Sequence, residues 1–254
     1  MLTGDFHTHG SFSHGKGSAM ENARVAHEKG LKSIAITEHG LSTFAGSLRK
    51  KEILDAQKEV FDAQTKFSDV KIYFGIEANL VSPDGEIDIP KSLLDQFEVV
   101  LVGLHVFVRG TKYMRVVRIV WRNAFRILFR HRDKLRAINT KALVKAMYEY
   151  DVDALAHLGT SMPDFDIVAV AKAAEETDTC IEINNKHCSL SLEQLKYLAT
   201  TNVKFLLNSD AHLPENVGNV ANSLEMAREA GINFDNILNY NKEYIPKKFR
   251  KAQS

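Results

Sequence analysis

With 254 residues, of which 44% are hydrophobic and 26% charged, the chain has the composition of an ordinary globular domain long enough to form a complete α/β barrel. A net charge of +1 argues against a generic polyanion binder, and two cysteines without a C-x-x-C spacing imply no disulfide framework. No run of about eighteen apolar residues offers a membrane span, and no charged-then-apolar leader precedes the first polar motif, so the expected setting is cytoplasmic.

In chain order, Leu2–His9 reads as a first strand that carries Asp5-Phe6-His7-Thr8-His9. Ser18–Lys29 is an amphipathic helix with Ser18 as N-cap and Gly30 as stop. Ser33–Thr37 is a short apolar strand and Ser47–Phe67 a long charged helix. Val70–Leu80 is a strand closed by the turn signal Ser82-Pro83-Asp84-Gly85. Val99–Leu104 is a buried strand, and the helix Thr140–Tyr150 leads into the strand Val152–Ala156. Helix Ile167–Thr177, strand Cys180–Ile183, helix Leu192–Thr200, strand Val203–Leu207 and helix Asn216–Ala230 complete the series, with Gly231 as the last stop. Seven mostly apolar strands alternating with helices predict a parallel sheet covered on both faces. Seven units suggest a closed or nearly closed barrel, with an open doubly wound sheet as the alternative. No linker or internal repeat divides residues 1–254, so a single domain is expected.

The candidate ligands fall at strand ends. Side chains two apart on a strand share a face, so His7 and His9 can grip one ion together. His14 lies in the following loop, His39 after the second strand, Glu77 at the end of the third, His105 after the fourth and His157 after the fifth. Asp210 and His212 follow the seventh. In a parallel barrel all these ends meet on one face. A lone histidine at a strand end is more often a hydrogen-bonded structural residue than a ligand; the weight lies in the convergence of the whole set. Imidazole and carboxylate donors suit zinc, manganese or iron. Nine such groups exceed the needs of one four-coordinate ion, so two or three ions are expected, with Glu77 able to bridge two of them. Close groups of ions are equipment for phosphoryl transfer to water.

These residues resemble the PHP family, named for polymerase and histidinol phosphatase. Its motifs occur in order as Asp5–His9 with His14, Thr37-Glu38-His39-Gly40, His157, and Ser209-Asp210-Ala211-His212. Gly75–Asn79 with Asp84–Asp88, and Glu182-Ile183-Asn184-Asn185, are similar to the small stand-alone phosphatase branch, and the likeness covers nearly all of the chain apart from a stretch after His105. The resemblance implies a distorted (β/α)7 TIM-like barrel and a trinuclear centre of divalent ions, zinc or manganese first and iron as a further option. It would put one ion on His7, His9, Glu77 and Asp210, a second on Glu77, His105 and His157, and a third on His14, His39 and His212. It implies a phosphatase that hydrolyses a small phosphoric monoester through a metal-bridging hydroxide, with no further catalytic residue assigned and a metal-bound water or a histidine to protonate the departing alcohol. Two departures stand out: Glu38 replaces the usual Asp before His39, with an expected effect on the support of His39, and Lys186-His187 replace small polar residues on the active face.

Residues 109–136 hold ten Lys or Arg against one acid, a formal +9, which leaves −8 on the rest of the chain. Arg115, Arg118, Arg122, Arg126 and Arg130 recur at helical spacing opposite Val117, Val120, Trp121 and Phe125, so a basic amphipathic helix inserted after strand four is expected. A solvated or oligomer-facing helix is the plainest account. A substrate clamp, with Arg109 nearest the metal face, nucleic-acid contact and attachment to an anionic membrane surface are the others. Asn185 and His187, just after strand six, join Arg109 as expected substrate contacts. Two further functions compete with the phosphatase: a nuclease or phosphodiesterase guided by the Arg-rich helix, and a non-catalytic docking module. Neither a P-loop, nor a Rossmann glycine fingerprint, nor a serine nucleophile elbow occurs.

Overall fold

The computed structural model describes residues 1–43, 46–105, 123, 132–187 and 189–251. Seven parallel strands form one sheet in sequence order: β1 Gly4–Thr8, β2 Ser33–His39, β3 Lys71–Asn79, β4 Val99–Gly103, β5 Ala154–Leu155, β6 Cys180–Asn184 and β7 Phe205–Asn208. Between and after them run α1 Ala19–Glu28, α2 Ile53–Lys66, the single turn α3 Lys91–Leu94, α4 Arg132–Glu149, α5 Ile167–Thr177, α6 Leu192–Ala199, α7 Ala221–Glu229 and α8 Lys247–Lys251. The alternation winds the sheet into the expected distorted (β/α)7 barrel.

Local chemistry sets the helix starts. Ser18 and Ser191 each accept the N–H three residues on, and Glu21 and Gln194 return the bond to the cap backbone, so α1 and α6 both begin in capping boxes. Asp166 caps α5 by accepting from Val168 and Ala169. Several bounds differ from the sequence reading. Residues 47–52 precede α2 as irregular chain and a 3₁₀ turn, and α7 starts after another 3₁₀ turn at Pro214–Asn216. β5 shrinks to two residues. Arg132–Arg136, counted with the basic insertion, belong to the same continuous helix as Thr140–Glu149. The remainder of that insertion, including Arg109, lies outside the described residues except for Asn123, which is buried and exchanges two carboxamide hydrogen bonds with Asn139 of α4 at 2.8 and 3.0 Å.

Two apolar layers result. The larger lies between sheet and helices. The smaller fills the barrel and draws on every strand, including Phe6, Ala35, Leu101, Cys180 and Leu206, with Tyr244 from the C-terminal segment packed against it. β1 contributes Phe6 to the smaller layer and carries a bulge. Its pairing with β2 jumps from Asp5 opposite Ile34 to Thr8 opposite Ile36, so Phe6 and His7 together oppose Ala35. The barrel closes between β1 and β7 largely through side chains. Phe6 N–H donates to Asn208 Oδ1, and Asn239 Nδ2 donates to Gly4 O and Leu207 O while Asn239 Oδ1 accepts from Leu207 N–H. Main-chain contact across this seam resumes only above it, where His9 N–H meets Ala211 O at 2.8 Å. No described helix is long and apolar enough to cross a membrane.

Candidate metal centre

The C-terminal strand ends bring together all nine side chains expected as ligands. Glu77 sits at their middle, buried at the end of β3. Its Oε1 lies 2.6 Å from His157 Nε2 and 3.4 Å from His105 Nε2. Its Oε2 lies 2.7 Å from His39 Nδ1, 3.4 Å from His7 Nε2 and 3.6 Å from His9 Nε2. Asp210 stands on the far side of the two first histidines, 3.4 Å from His9 Nε2 and 3.9 Å from His7 Nε2. The His14 ring stacks on His39, and His212 packs against His9 and His14, with centroids 4.2–4.5 Å apart.

Three sets place their donor atoms within 4.8 Å of one another: His7, His9 and Asp210; His39, Glu77 and His105; and His9, His39 and His212. The first comprises three of the four side chains expected for one ion, without Glu77. The other two divide the histidines differently, because His9 and His39 each stand between two sets. A cation suits this arrangement on two counts. His7 Nε2, both ring nitrogens of His9 and His39 Nε2 are buried without a hydrogen-bond partner, and His39 Nδ1 and Glu77 Oε2, though 2.7 Å apart, form no aligned hydrogen bond, an expensive state for polar atoms unless an ion takes them. Glu77 and Asp210 are also held well below the usual carboxylate range: burial opposes their charge, but the surrounding histidines outweigh it.

The histidines divide by environment. Burial first, then neighbouring imidazoles, lowers His9 well below the ordinary value and His14 to about 4. Burial brings His105 to about 3 and also lowers His212. These rings are neutral at pH 7, the form that binds a metal. Burial works the same way on His7 and His157, but the carboxylates overcome it and raise both. For His7 the carboxylates are Glu182, Glu77 and Asp210, and for His157 Glu77 leads.

A second ring of side chains fixes the first, and here the sequence reading was incomplete. Glu182 Oε1 accepts from His7 Nδ1 and Asn208 Nδ2, both at 2.8 Å; Oε2 accepts from the His157 N–H at 2.7 Å and Asn184 Nδ2 at 3.0 Å. It thus both faces the barrel interior and carries structural hydrogen bonds. It also holds His157 in a left-handed backbone conformation, φ 30°. His105 Nδ1 donates to Asn79 Oδ1 at 2.7 Å, and Asn79 is held in turn by Thr43 and Asp88. Such partners fix which ring nitrogen carries the proton. Gly103 leaves the space: a Cβ there would stand 2.9 Å from His157 Cε1 and 3.3 Å from Glu77 Oε1. Glu38 takes a different part from the one expected. Its carboxylate accepts from Gly10 N–H at 3.2 Å and from the Ser13 hydroxyl, so it braces the loop bearing His14 and makes no hydrogen bond to the His39 ring. Asp5 emerges as a further buried acid and Asp88 as a half-buried one; desolvation raises both despite several hydrogen-bond donors.

An open cavity of about 380 Å³ lies above the histidines, its wall completed by Thr43, Thr160, Ser161, Lys186 and His187. His187 therefore stands where a substrate contact was expected. Asn185 does not line this cavity: its Oδ1 accepts from Asn222 N–H at 2.8 Å and Ser223 N–H at 3.4 Å, tying the turn to the start of α7. Arg109 lies outside the described residues.

The family model of the PHP domain matches residues 5–189. A probable phosphatase of Thermoanaerobacter sp. strain X514 is 29% identical over 97% of this chain and 96% of its own. A probable phosphatase of Clostridium acetobutylicum is 28% identical over 91% and 90%. Histidinol phosphate phosphatase from Lactococcus lactis, solved with zinc, L-histidinol and phosphate, shares the fold: the TM-score is 0.61 over 91% of this chain and 95% of that one, at 16% identity.

Proposed function

The chain belongs to the PHP domain family, and from that premise we propose that it is a metal-dependent phosphatase acting on a small phosphoric monoester. The observation that carries this reading is the set of buried, unpartnered imidazole and carboxylate atoms under an open cavity. The names of its relatives as probable phosphatases agree with it.

We assign three divalent ions, zinc or manganese before iron. His7, His9, Glu77 and Asp210 would hold one; Glu77, His105 and His157 a second; His14, His39 and His212 a third. Bound there, divalent cations acidify water and draw charge from phosphate oxygens. The protein's own part is orientation. Glu182 and Asn79 take up the Nδ1 protons of His7 and His105, which leaves each Nε2, turned toward Glu77, as the nitrogen that would bind an ion. Glu77, in reach of five histidines from both oxygens, is the carboxylate that neighbouring ions would share. Thr43, Thr160, Ser161 and His187 shape the wall that the alcohol portion of the substrate meets. Partial burial first, and Lys186 as well, lowers His187, which therefore offers a neutral ring rather than a charge.

The test combines elemental analysis of purified protein with a phosphate-release screen over a panel of phosphomonoesters, run with and without chelator. The expected result is bound divalent metal, release from at least one monoester, and loss of that activity on chelation with recovery on adding zinc or manganese. Turnover that survives metal removal, or full turnover in Asp210→Ala, would contradict the proposal. A nuclease assay on the same preparation, at low and moderate salt, separates the nucleic-acid alternative.

A further inference from the structure

Lys186 was not among the expected substrate contacts, yet it lines the cavity beside His14, Asp210 and His212. Its Nζ lies 3.3 Å from His212 Nδ1. That nitrogen also lies 2.9 Å from the Asp210 carbonyl oxygen. A carbonyl oxygen only accepts, so Nδ1 carries a proton and cannot serve the ammonium as an acceptor. Among the described residues no carboxylate pairs with Lys186. The ammonium thus faces the cavity with its hydrogen-bonding capacity unspent.

Its backbone is fixed from below. Asn184 is fully buried at the end of β6. Its Oδ1 accepts from Lys186 N–H at 2.9 Å and from His187 N–H at 2.7 Å. Its Nδ2 donates to Glu182 Oε2 at 3.0 Å and Asp210 Oδ2 at 3.2 Å. One rigid carboxamide therefore ties the turn that presents Lys186 to two carboxylates of the metal centre. Thr160 braces the turn from the loop after β5 by donating to His187 O at 3.1 Å.

Resting on the phosphatase reading above, we propose that Lys186 is a substrate-binding residue whose ammonium takes an oxygen of the substrate phosphate beside His212, with Asn184 as its positioning residue. A lysine is a compact point charge suited to phosphate, and here its root is held while its tip is free. The probe is inorganic phosphate, titrated calorimetrically into the metal-loaded full chain, for the wild type, Lys186→Met and Lys186→Arg. Lys186→Met is expected to weaken phosphate binding about 10- to 100-fold, the scale of one charge-assisted hydrogen bond, with metal content unchanged. KM for a hydrolysed monoester should rise by a similar factor, and Lys186→Arg should recover most of both. Phosphate affinity equal to wild type in Lys186→Met, or metal loss that accounts for the weakening, would overturn the proposal. A wild-type holoprotein that hydrolyses no monoester, yet binds phosphate in a Lys186-dependent way, would support the Lys186 site while sinking the phosphatase reading.

Discussion

Glu182 accepts four hydrogen bonds, two on each oxygen: three come from groups that can only donate, and the fourth from the His7 ring, whose Nδ1 proton the carboxylate fixes. His7 Nδ1 and Asn208 Nδ2 meet one oxygen, and His157 N–H and Asn184 Nδ2 meet the other. A glutamine would have to turn its NH₂ toward one of these pairs, leaving buried donors face to face. The isosteric change Glu182→Gln therefore costs about 2–5 kcal/mol of stability, from two or so unmet buried groups at roughly 1–3 kcal/mol each. It also removes the leading carboxylate that raises His7. Metal affinity should fall about 10- to 100-fold, as when other groups that orient metal-bound histidines are removed. Titration with zinc against a competing chelator, beside a thermal melt, reads both effects. A variant with wild-type metal affinity would show that the ring of His7 is held by packing alone.

Elements carry the next level, and the seam between β1 and β7 shows what the sequence could and could not disclose. Alternation of helices and apolar strands made the barrel legible, because burial on both faces leaves a compositional mark. The bulge in β1 left none. A regular strand would have sent Phe6 and His7 to opposite faces, whereas both oppose Ala35. The carboxylate of Asp5 takes the N–H groups of His7, Ser209 and Gly218, and these partners are as many as 213 residues away. Asn239 is equally silent in sequence, an ordinary polar residue in a C-terminal loop. In the fold it replaces a missing stretch of ladder, serving Gly4 O, Leu207 O and Leu207 N–H. Asn239→Ala should cost about 3 kcal/mol by stranding those buried groups. In a chain of this size that is a fall of about 6–12 °C in Tm. Hydrogen exchange should show the loss concentrated at Leu207 and its neighbours on β7. An unchanged Tm would mean that the barrel does not depend on this seam.

For the molecule as a whole, the convergence of the candidate ligands was readable because strand order in a parallel barrel turns positions scattered from His7 to His212 into one rim. The groups that orient the set were not readable, since their partners are fixed only once the rim exists. That assembly has a thermodynamic consequence for the metal-free protein. His14 and His105 titrate near 6.5 when unfolded, but at about 4 and about 3 when folded, because burial penalises the charged ring. Between pH 6.5 and those values the unfolded chain binds more protons than the folded one, so stability rises with pH across that window and is lost on acidification. Depressed Glu77 and Asp210 act in the same direction below the ordinary carboxylate range, where the unfolded chain takes up protons and the folded one resists. The raised groups work oppositely: the contribution of His7 and His157 is complete below pH 6.5 and declines on the alkaline side. That of the buried acids Asp5, Glu38, Asp88 and Asp153 declines as pH rises above the ordinary carboxylate range, so the acid-side loss is expected where the lowered histidines outweigh them. Chelator-treated protein should therefore melt at a lower temperature at pH 5 than at pH 7.5. Zinc or manganese should raise Tm strongly at pH 7.5 and much less at pH 5, where protons compete for the same nitrogens. A metal-induced shift of equal size at both pH values would mean that the stabilising ions sit on something other than these histidines.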